Sequence, residues 1–205
     1  MDLPTLLERA FRTTAGVAAA IEPAAWDGPS PCPRWSVRQV GNHMLGMVGL
    51  TTHVASGLTL DPAEAQPERL AQLAYTDRLG ADPAAAIQAV GDRSVAVFAE
   101  PGTLERLTVG KGGADTPGSV HALMCINEVV THGWDLASGG GVAYEPDAEV
   151  VATAREFALE LVGPEARALG MFGPPVAVGA DADVLTAHLG HTGRRSPWPG
   201  IRAVA

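Results

Sequence analysis

Apolar residues recur along this chain mostly at spacings of three and four, which is the pattern of amphipathic helices. Long segments of this kind are predicted at residues 2–21, 36–56, 82–99, 116–141 and 147–161. Shorter helical pieces are predicted near 67–75, 165–169 and 182–190. Apart from one extended segment at 104–109, there is little alternation with a period of two. The pattern therefore predicts an all-α protein built as an antiparallel helix bundle.

Local signals place the ends of two of these helices. Ser36 and Gln39 form the S-x-x-Q pattern of a capping box, in which two side chains satisfy exposed backbone N–H groups. Pro117 suits the first turn of the helix at 116–141, and the glycines at 139–141 end it. The faces of these two helices can therefore be assigned from residue spacing.

The helix at 116–141 carries a polar stripe on an otherwise apolar cylinder. At about 100° per residue, five residues share one face: His121, Cys125, Glu128, His132 and Asp135. Apolar residues cover nearly all the other faces, so the helix is expected to be buried with the stripe facing the interior. No Lys or Arg occurs between Lys111 and Arg155. A buried carboxylate beside a histidine, without a local cation, indicates a metal ion or a distant partner.

Glu128 and His132 are candidate ligands of one metal ion. Their spacing of four projects both side chains from one helical face, as in zinc sites built on helices. His43, on the apolar face of the helix at 36–56, can supply a third ligand. Two histidines and one carboxylate leave an open position, which is typical of catalytic zinc and also suits nickel or iron(II). The alternative is that these are hydrogen-bonded core residues, because E-x-x-x-H pairs are common by chance on helices.

The rest of the stripe has other interpretations. Cys125 and His121 are alternative ligands, but Cys125 is expected to be a core thiol and His121, near the helix start, to be solvated. Asp135 lies in the last turn, where the helix dipole disfavours an anion. We therefore expect a compensating contact for Asp135, which could be a hydrogen bond to a metal-bound histidine, a capping interaction or a distant arginine.

Three segments resemble the mycothiol-dependent maleylpyruvate isomerase family, which belongs to the DinB-like metal-binding four-helix bundles. PCPRWSVRQVGNHMLG is similar to its P-C-P-x-W-x-V-x-x-L-x-x-H segment, and NEVVTHGWDLASGGG to its E-x-x-x-H-G-W-D-L-A-x-x-x-G segment. MFGPPVAV resembles the tail of its short, single-domain members. The resemblance implies that His43, Glu128 and His132 correspond to the family's three metal ligands, with Trp134 and Asp135 in supporting positions.

The resemblance also implies cofactors. The family's chemistry uses a divalent metal, usually zinc, and a low-molecular-weight thiol such as mycothiol. Maleylpyruvate isomerases carry a C-terminal domain that helps build the active site, whereas about forty residues follow the last long helix here. We therefore expect this chain to bind a metal as the family does, whereas the resemblance does not imply isomerase activity. The expected organisation is a single DinB-like domain over 1–205, with the bundle at about 1–163 and a C-terminal appendage at about 164–205.

Composition narrows the partners. The formal net charge is −9, so we expect neither nucleic acid nor an anionic membrane surface as a partner. The sequence has no signal-peptide pattern and no apolar run of membrane-spanning length, which predicts a cytoplasmic protein. Residues 111–113, KGG, lack the strand, spacing and Ser/Thr of a P-loop. Small bundles often pair, so a homodimer is an open expectation, although no heptad seam supports it.

The residues leave three functional hypotheses open. The first is a metal-dependent transferase or isomerase, in which a thiol cofactor attacks a small electrophilic substrate. The second is a metal hydrolase that uses a metal-bound water, although no spare carboxylate near the candidate site is obvious as a general base. The third is a non-catalytic bundle that binds a small ligand or a partner.

Overall fold

A computed structural model describes residues 2–61, 63–109 and 115–200. The helices in these ranges are α1 (Leu3–Ala20), α2 (Val37–Ala55), α3 (Pro67–Gln72), α4 (Pro83–Ala99), α5 (Gly118–Gly140), α6 (Ala148–Leu161), α7 (Pro164–Ala168) and α8 (Val184–His191). Two short strands, β1 (Leu107–Val109) and β2 (Asp115–Pro117), pair antiparallel. The prediction of an all-α bundle is confirmed, and residues 111–113 lie outside the described ranges.

Four long helices form the bundle, with α1 and α2 at opposite corners and each packed on both α4 and α5. Ile21, just after α1, lies beside Gly140 at the end of α5, so these two helices run parallel. Val37, at the start of α2, lies beside Gly139, so α2 runs antiparallel to α5. Helix α5 thus packs against one parallel helix, α1, and one antiparallel helix, α2. Its polar stripe can therefore meet side chains from the first half of α2.

The local signals in the sequence explain where α2 and α5 begin and end. The Ser36 hydroxyl accepts from the Gln39 N–H at 3.3 Å, and the Gln39 side chain accepts from the Ser36 N–H at 2.9 Å, which completes the capping box. Gly141 ends α5 in the left-handed conformation with φ 69°, which glycine adopts without steric cost. Helix α5 starts at Gly118, slightly later than predicted, because residues 115–117 pair with β1 instead.

The C-terminal segment packs along the outside of the bundle. Helix α6 lies against α5, and α8 packs on α6. This arrangement carries the residues that follow α8 toward the last turns of α5. Among the described helices, none combines the length and the apolar character needed to cross a membrane.

Gly118 occupies a position with no room for a side chain. It lies where the start of α5 meets the turn after α4, and an added Cβ would overlap the carbonyl oxygen of Thr103. We expect Gly118→Ala to lower the free energy of unfolding by about 3 kcal/mol, because backbone cannot move aside as a side chain can. Urea denaturation measures the change. Gly16→Ala is the matched control, since its Cβ meets no atom of the described chain within 4 Å; equal stability of the two variants would contradict the prediction.

Candidate metal centre

The three predicted ligands lie together between α2 and α5. One donor atom from each of His43, Glu128 and His132 lies within 4.8 Å of the other two. The Oε1 atom of Glu128 is 3.5 Å from Nε2 of His43 and 3.2 Å from Nε2 of His132. His132 follows Glu128 by one helical turn, and His43 reaches them because α2 packs on α5.

This donor set fits a divalent cation. The Oε1 atom of Glu128 is buried and makes no hydrogen bond of regular geometry among the described residues, although it pairs with the ring of His132 at 3.2 Å. A buried oxygen that is incompletely satisfied is costly. Two imidazole nitrogens and one carboxylate oxygen are ligands that zinc, nickel and iron(II) accept. The side chains of His43 and Glu128 keep 12% and 20% of their surface exposed, so the centre is not completely enclosed.

The charges of the three ligands depend on one another. Burial lowers the pKa of His43 to about 4, against the attraction of the Glu128 carboxylate. Burial also acts to lower the pKa of His132, but Glu128 and the hydrogen bond with Asp135 outweigh it and raise that pKa well above 6.5. For Glu128, burial acts to raise the pKa, but His132 and His43 outweigh it and lower it. With no cation bound, a neutral His43 therefore stands beside a Glu128–His132 ion pair.

Asp135 orients His132 from behind. Its Oδ2 atom accepts a hydrogen bond from Nδ1 of His132 at 2.8 Å, which leaves Nε2 facing Glu128. Asp135 is fully buried, and Arg194 donates to its two oxygens at 2.9 and 3.3 Å. Burial acts to raise the pKa of Asp135, but the Arg194 cation and the bond from His132 outweigh it and lower the pKa. Asp135 therefore stays ionised, and an ionised carboxylate can only accept.

Arg194 is the part of this centre that sequence reasoning missed. It lies 59 positions after Asp135, in the segment that follows α8. A second buried contact holds α8, just before that segment, against α5, because Nε2 of His188 on α8 lies 2.9 Å from Oγ1 of Thr131. The absence of a cation from the helix at 116–141 indicated a metal ion or a distant partner, and a distant arginine was one of the contacts expected for Asp135. Residue spacing did not identify which arginine. In the structure, Asp135 accepts hydrogen bonds from both a distant arginine, Arg194, and a histidine, His132.

A second donor group shares His132 with the first. Cys32, His132 and Asp135 also offer donor atoms within 4.8 Å of one another, and Sγ of Cys32 donates to Oδ2 of Asp135 at 3.3 Å. The Nη2 atom of Arg194 lies 3.7 Å from this sulfur and bonds the same carboxylate. A guanidinium thus already neutralises the second group and would repel another cation. The group with Glu128 is therefore the better candidate for a metal.

The remaining residues of the stripe have structural surroundings. Cys125 is buried, and burial raises the pKa of its thiol, as a core residue requires. The expectation that His121 is solvated is wrong: it is 6% exposed, and its Nε2 lies 2.8 Å from Oγ1 of Thr108. The strand pair before α5 covers the helix start, which the helical pattern could not show. Trp35 is half-buried, and its ring lies 4.5 Å from that of His43.

Two buried histidines should limit stability in acid. Burial lowers the pKa values of His43 and His188 from 6.5 to about 4 and about 3. The unfolded chain therefore takes up these protons first, and stability is lost as pH falls below 6.5. His132 does not contribute to this loss of stability in acid. Its pKa is raised above 6.5, so the stability that it contributes is lost only as pH rises. In chelator-treated protein we expect the free energy of unfolding to fall by about 1.4 kcal/mol per pH unit for each ring.

Urea denaturation at pH values between 6.5 and about 5 measures this slope. Nearer pH 4, Glu128 and Asp135, whose pKa values are lowered in the folded chain, add to the loss of stability. The His188→Gln variant lacks one of the two titrating rings and is expected to show about half of the wild-type slope. If the variant shows the same pH dependence as the wild type, protonation of His188 does not contribute to the loss of stability in acid.

The fold and the centre define a helical-bundle protein with a buried histidine–carboxylate site. The chain belongs to the family described as the mycothiol maleylpyruvate isomerase N-terminal domain, which it matches over residues 7–137. This finding confirms the family resemblance seen in the sequence. The matched range includes all three candidate ligands and Asp135, whereas Arg194 lies beyond it.

Relatives with similar sequences span nearly the whole chain. Two uncharacterized proteins of Mycobacterium tuberculosis, from strains CDC 1551 / Oshkosh and ATCC 25618 / H37Rv, are each 29% identical to it over 201 residues. The alignments cover 95% of this chain and 100% of each relative. No solved structure gives a significant match to the chain.

Proposed function

We propose that this chain binds one divalent metal ion through His43, Glu128 and His132. We further propose that it uses the ion with a low-molecular-weight thiol of the mycothiol class to transfer or isomerise a small electrophilic substrate. The convergence of three donor atoms within 4.8 Å carries the proposal, and the family match supports the thiol. Zinc is the expected metal, with nickel or iron(II) as alternatives.

The metal, when bound, supplies Lewis acidity that favours the deprotonated form of a thiol at neutral pH. The protein's own residues prepare the centre for this chemistry. His43 is neutral at pH 7 because of its lowered pKa, so its ring is available as a ligand without losing a proton. Asp135 fixes the tautomer of His132 through the bond to Nδ1. Trp35 lies against the His43 ring and closes one side of the site, while the partly exposed Glu128 leaves an approach for thiol and substrate.

Metal content and thiol binding test the proposal in two steps. Elemental analysis of protein purified without chelator is expected to give about one divalent ion per chain, and His43→Ala is expected to abolish it. Calorimetry is then expected to show mycothiol binding to the metal-loaded protein and not to chelator-stripped protein. S-methyl mycothiol is the matched ligand control, because it keeps the sugar groups but has no thiol proton to lose.

The two steps fail separately. Metal content that is unchanged in His43→Ala would remove the metal centre from the proposal. A metal-loaded protein that binds mycothiol and its S-methyl form equally well would keep the centre and contradict the use of the thiol.

A further inference from the structure

A cavity of about 530 Å³ lies between α2 and α4, away from the metal centre. Its α2 residues run from Leu45 to Ser56. At about 100° per residue, these positions lie roughly on the opposite face of α2 from His43. The inner wall is mixed: Leu45, Val90 and Val97 supply apolar surface, and Thr52 donates a hydrogen bond to Ser94 at 3.0 Å. The volume is in the range of about 300–1,000 Å³ that small-molecule sites occupy.

The cavity carries positive charge without a matching acid. Arg78 and Arg93 line it, and no Asp or Glu does so within the described ranges. Nη1 of Arg78 donates to the carbonyl oxygens of Leu73 and Thr76 at 2.8 and 3.1 Å, which fixes this half-buried guanidinium. In the part of the chain that the structure describes, Nε and Nη2 of Arg78 have no hydrogen bond, and Arg93 makes neither a hydrogen bond nor an ion pair. In a protein of net charge −9, two such guanidinium groups form an attractive position for an anion.

Gly49 lines this cavity without a side chain of its own. It lies inside α2, where glycine costs about 1 kcal/mol relative to alanine. The nearby Gly46 has a packing reason, because an added Cβ would meet Leu73 at 2.9 Å and Arg78 at 3.3 Å. A Cβ at Gly49 would meet no atom of the described chain within 4 Å. Gly49 is an exposed lining residue, so a larger side chain there can be added at the mouth of the cavity without a clash in the helix bundle.

We propose that this cavity binds a small organic anion. A carboxylate or phosphate head pairs with the guanidinium groups of Arg78 and Arg93, which can bind either head in two-pronged geometry. A short apolar body lies against the inner wall beside Gly49. The site does not involve the metal ligands and does not depend on the function proposed for them.

Calorimetry with hexanoate, hexyl phosphate and inorganic phosphate tests this proposal. Chelator-stripped protein is used, so that no metal can hold the anion. We expect at least one of the two hexyl-chain ligands, hexanoate and hexyl phosphate, to bind more tightly than inorganic phosphate. Its affinity should fall as salt is added. The tighter of the two identifies the head group that the arginines prefer.

Two variants alter the cavity in independent ways. Arg93→Gln removes one charge and keeps the volume, while Gly49→Leu adds a side chain at the mouth of the cavity and keeps both arginines. Each is expected to weaken binding by about tenfold or more, and thermal melting checks that each variant is folded. Arg12→Gln, which changes an exposed arginine on α1, is the matched control and should bind as the wild type does.

Three results would overturn the proposal. They are an absence of binding to the wild type, binding that neither Arg93→Gln nor Gly49→Leu weakens, and tighter binding of inorganic phosphate than of both hexyl-chain ligands. Loss of binding in His43→Ala would also overturn it, because the anion would then lie at the metal centre.

Discussion

Glu128→Gln is expected to lower the affinity of the protein for a divalent metal by more than about a hundredfold. Loss of a residue that only supports a ligand lowers metal affinity by at most about that factor, so a larger loss is the effect expected of a ligand. The substitution keeps the size of the side chain and removes the one anionic residue among the three candidate ligands. Competition against a chelator of known affinity measures the change, and elemental analysis measures the metal retained on purification. Glu160→Gln is the matched control, because it removes an exposed carboxylate from α6.

A second measurement separates a ligand from a charge partner. The Glu128 carboxylate raises the pKa of His132, so Glu128→Gln should lower that pKa in chelator-stripped protein, as followed by NMR titration of the imidazole. A lowered His132 pKa together with an unchanged metal affinity would show that Glu128 acts only as a charge partner. A loss of affinity together with the lowered pKa is the outcome that the proposed centre requires.

The helix α5 shows how much of the centre the sequence could predict. Its apolar surroundings required burial, its glycines marked its end, and spacing alone placed Glu128 and His132 on one face. The capping box at Ser36 placed the start of α2, and this in turn assigned His43 to an inward face. Periodicity is a local property, so it predicts residues that share a helix and the direction in which a helix presents them. The inward position of His43 made it a candidate third ligand, and the family resemblance implied the same three residues.

Contacts between distant segments were beyond the sequence for a physical reason. Arg194 lies in no periodic segment, and its meeting with Asp135 depends on how α8 packs on α6 and α6 on α5. The same holds for Cys32, which the proline-rich loop brings to within 3.3 Å of Asp135. The need for a cation near the stripe could be deduced from the cost of a buried charge, because that cost is general. The identity of the cation depends on tertiary packing, which the spacing of residues does not record.

Asp135→Asn is expected to lower the free energy of unfolding by about 3–5 kcal/mol, which is the range observed when one partner of a buried ion pair is removed. The cause is that Arg194, whose side chain is 11% exposed, would keep its charge and lose its anion. Metal affinity should fall by about 10–100-fold, because a neutral amide is a weaker acceptor for Nδ1 of His132. Chemical denaturation and chelator competition measure the two effects, and Asp181→Asn, at an exposed position, is the control.

The double variant Asp135→Asn/Arg194→Met separates stability from metal binding. Removing both charges leaves no unpaired ion, so the double variant should be more stable than the sum of the single changes predicts, by about 1–3 kcal/mol. Metal affinity should stay as low as in Asp135→Asn alone, because His132 still lacks its anionic acceptor. Strictly additive stabilities would show that Arg194 and Asp135 do not act as a pair. Recovery of metal affinity in the double variant would mean that the unpaired Arg194 charge, and not the lost bond to His132, had weakened the centre.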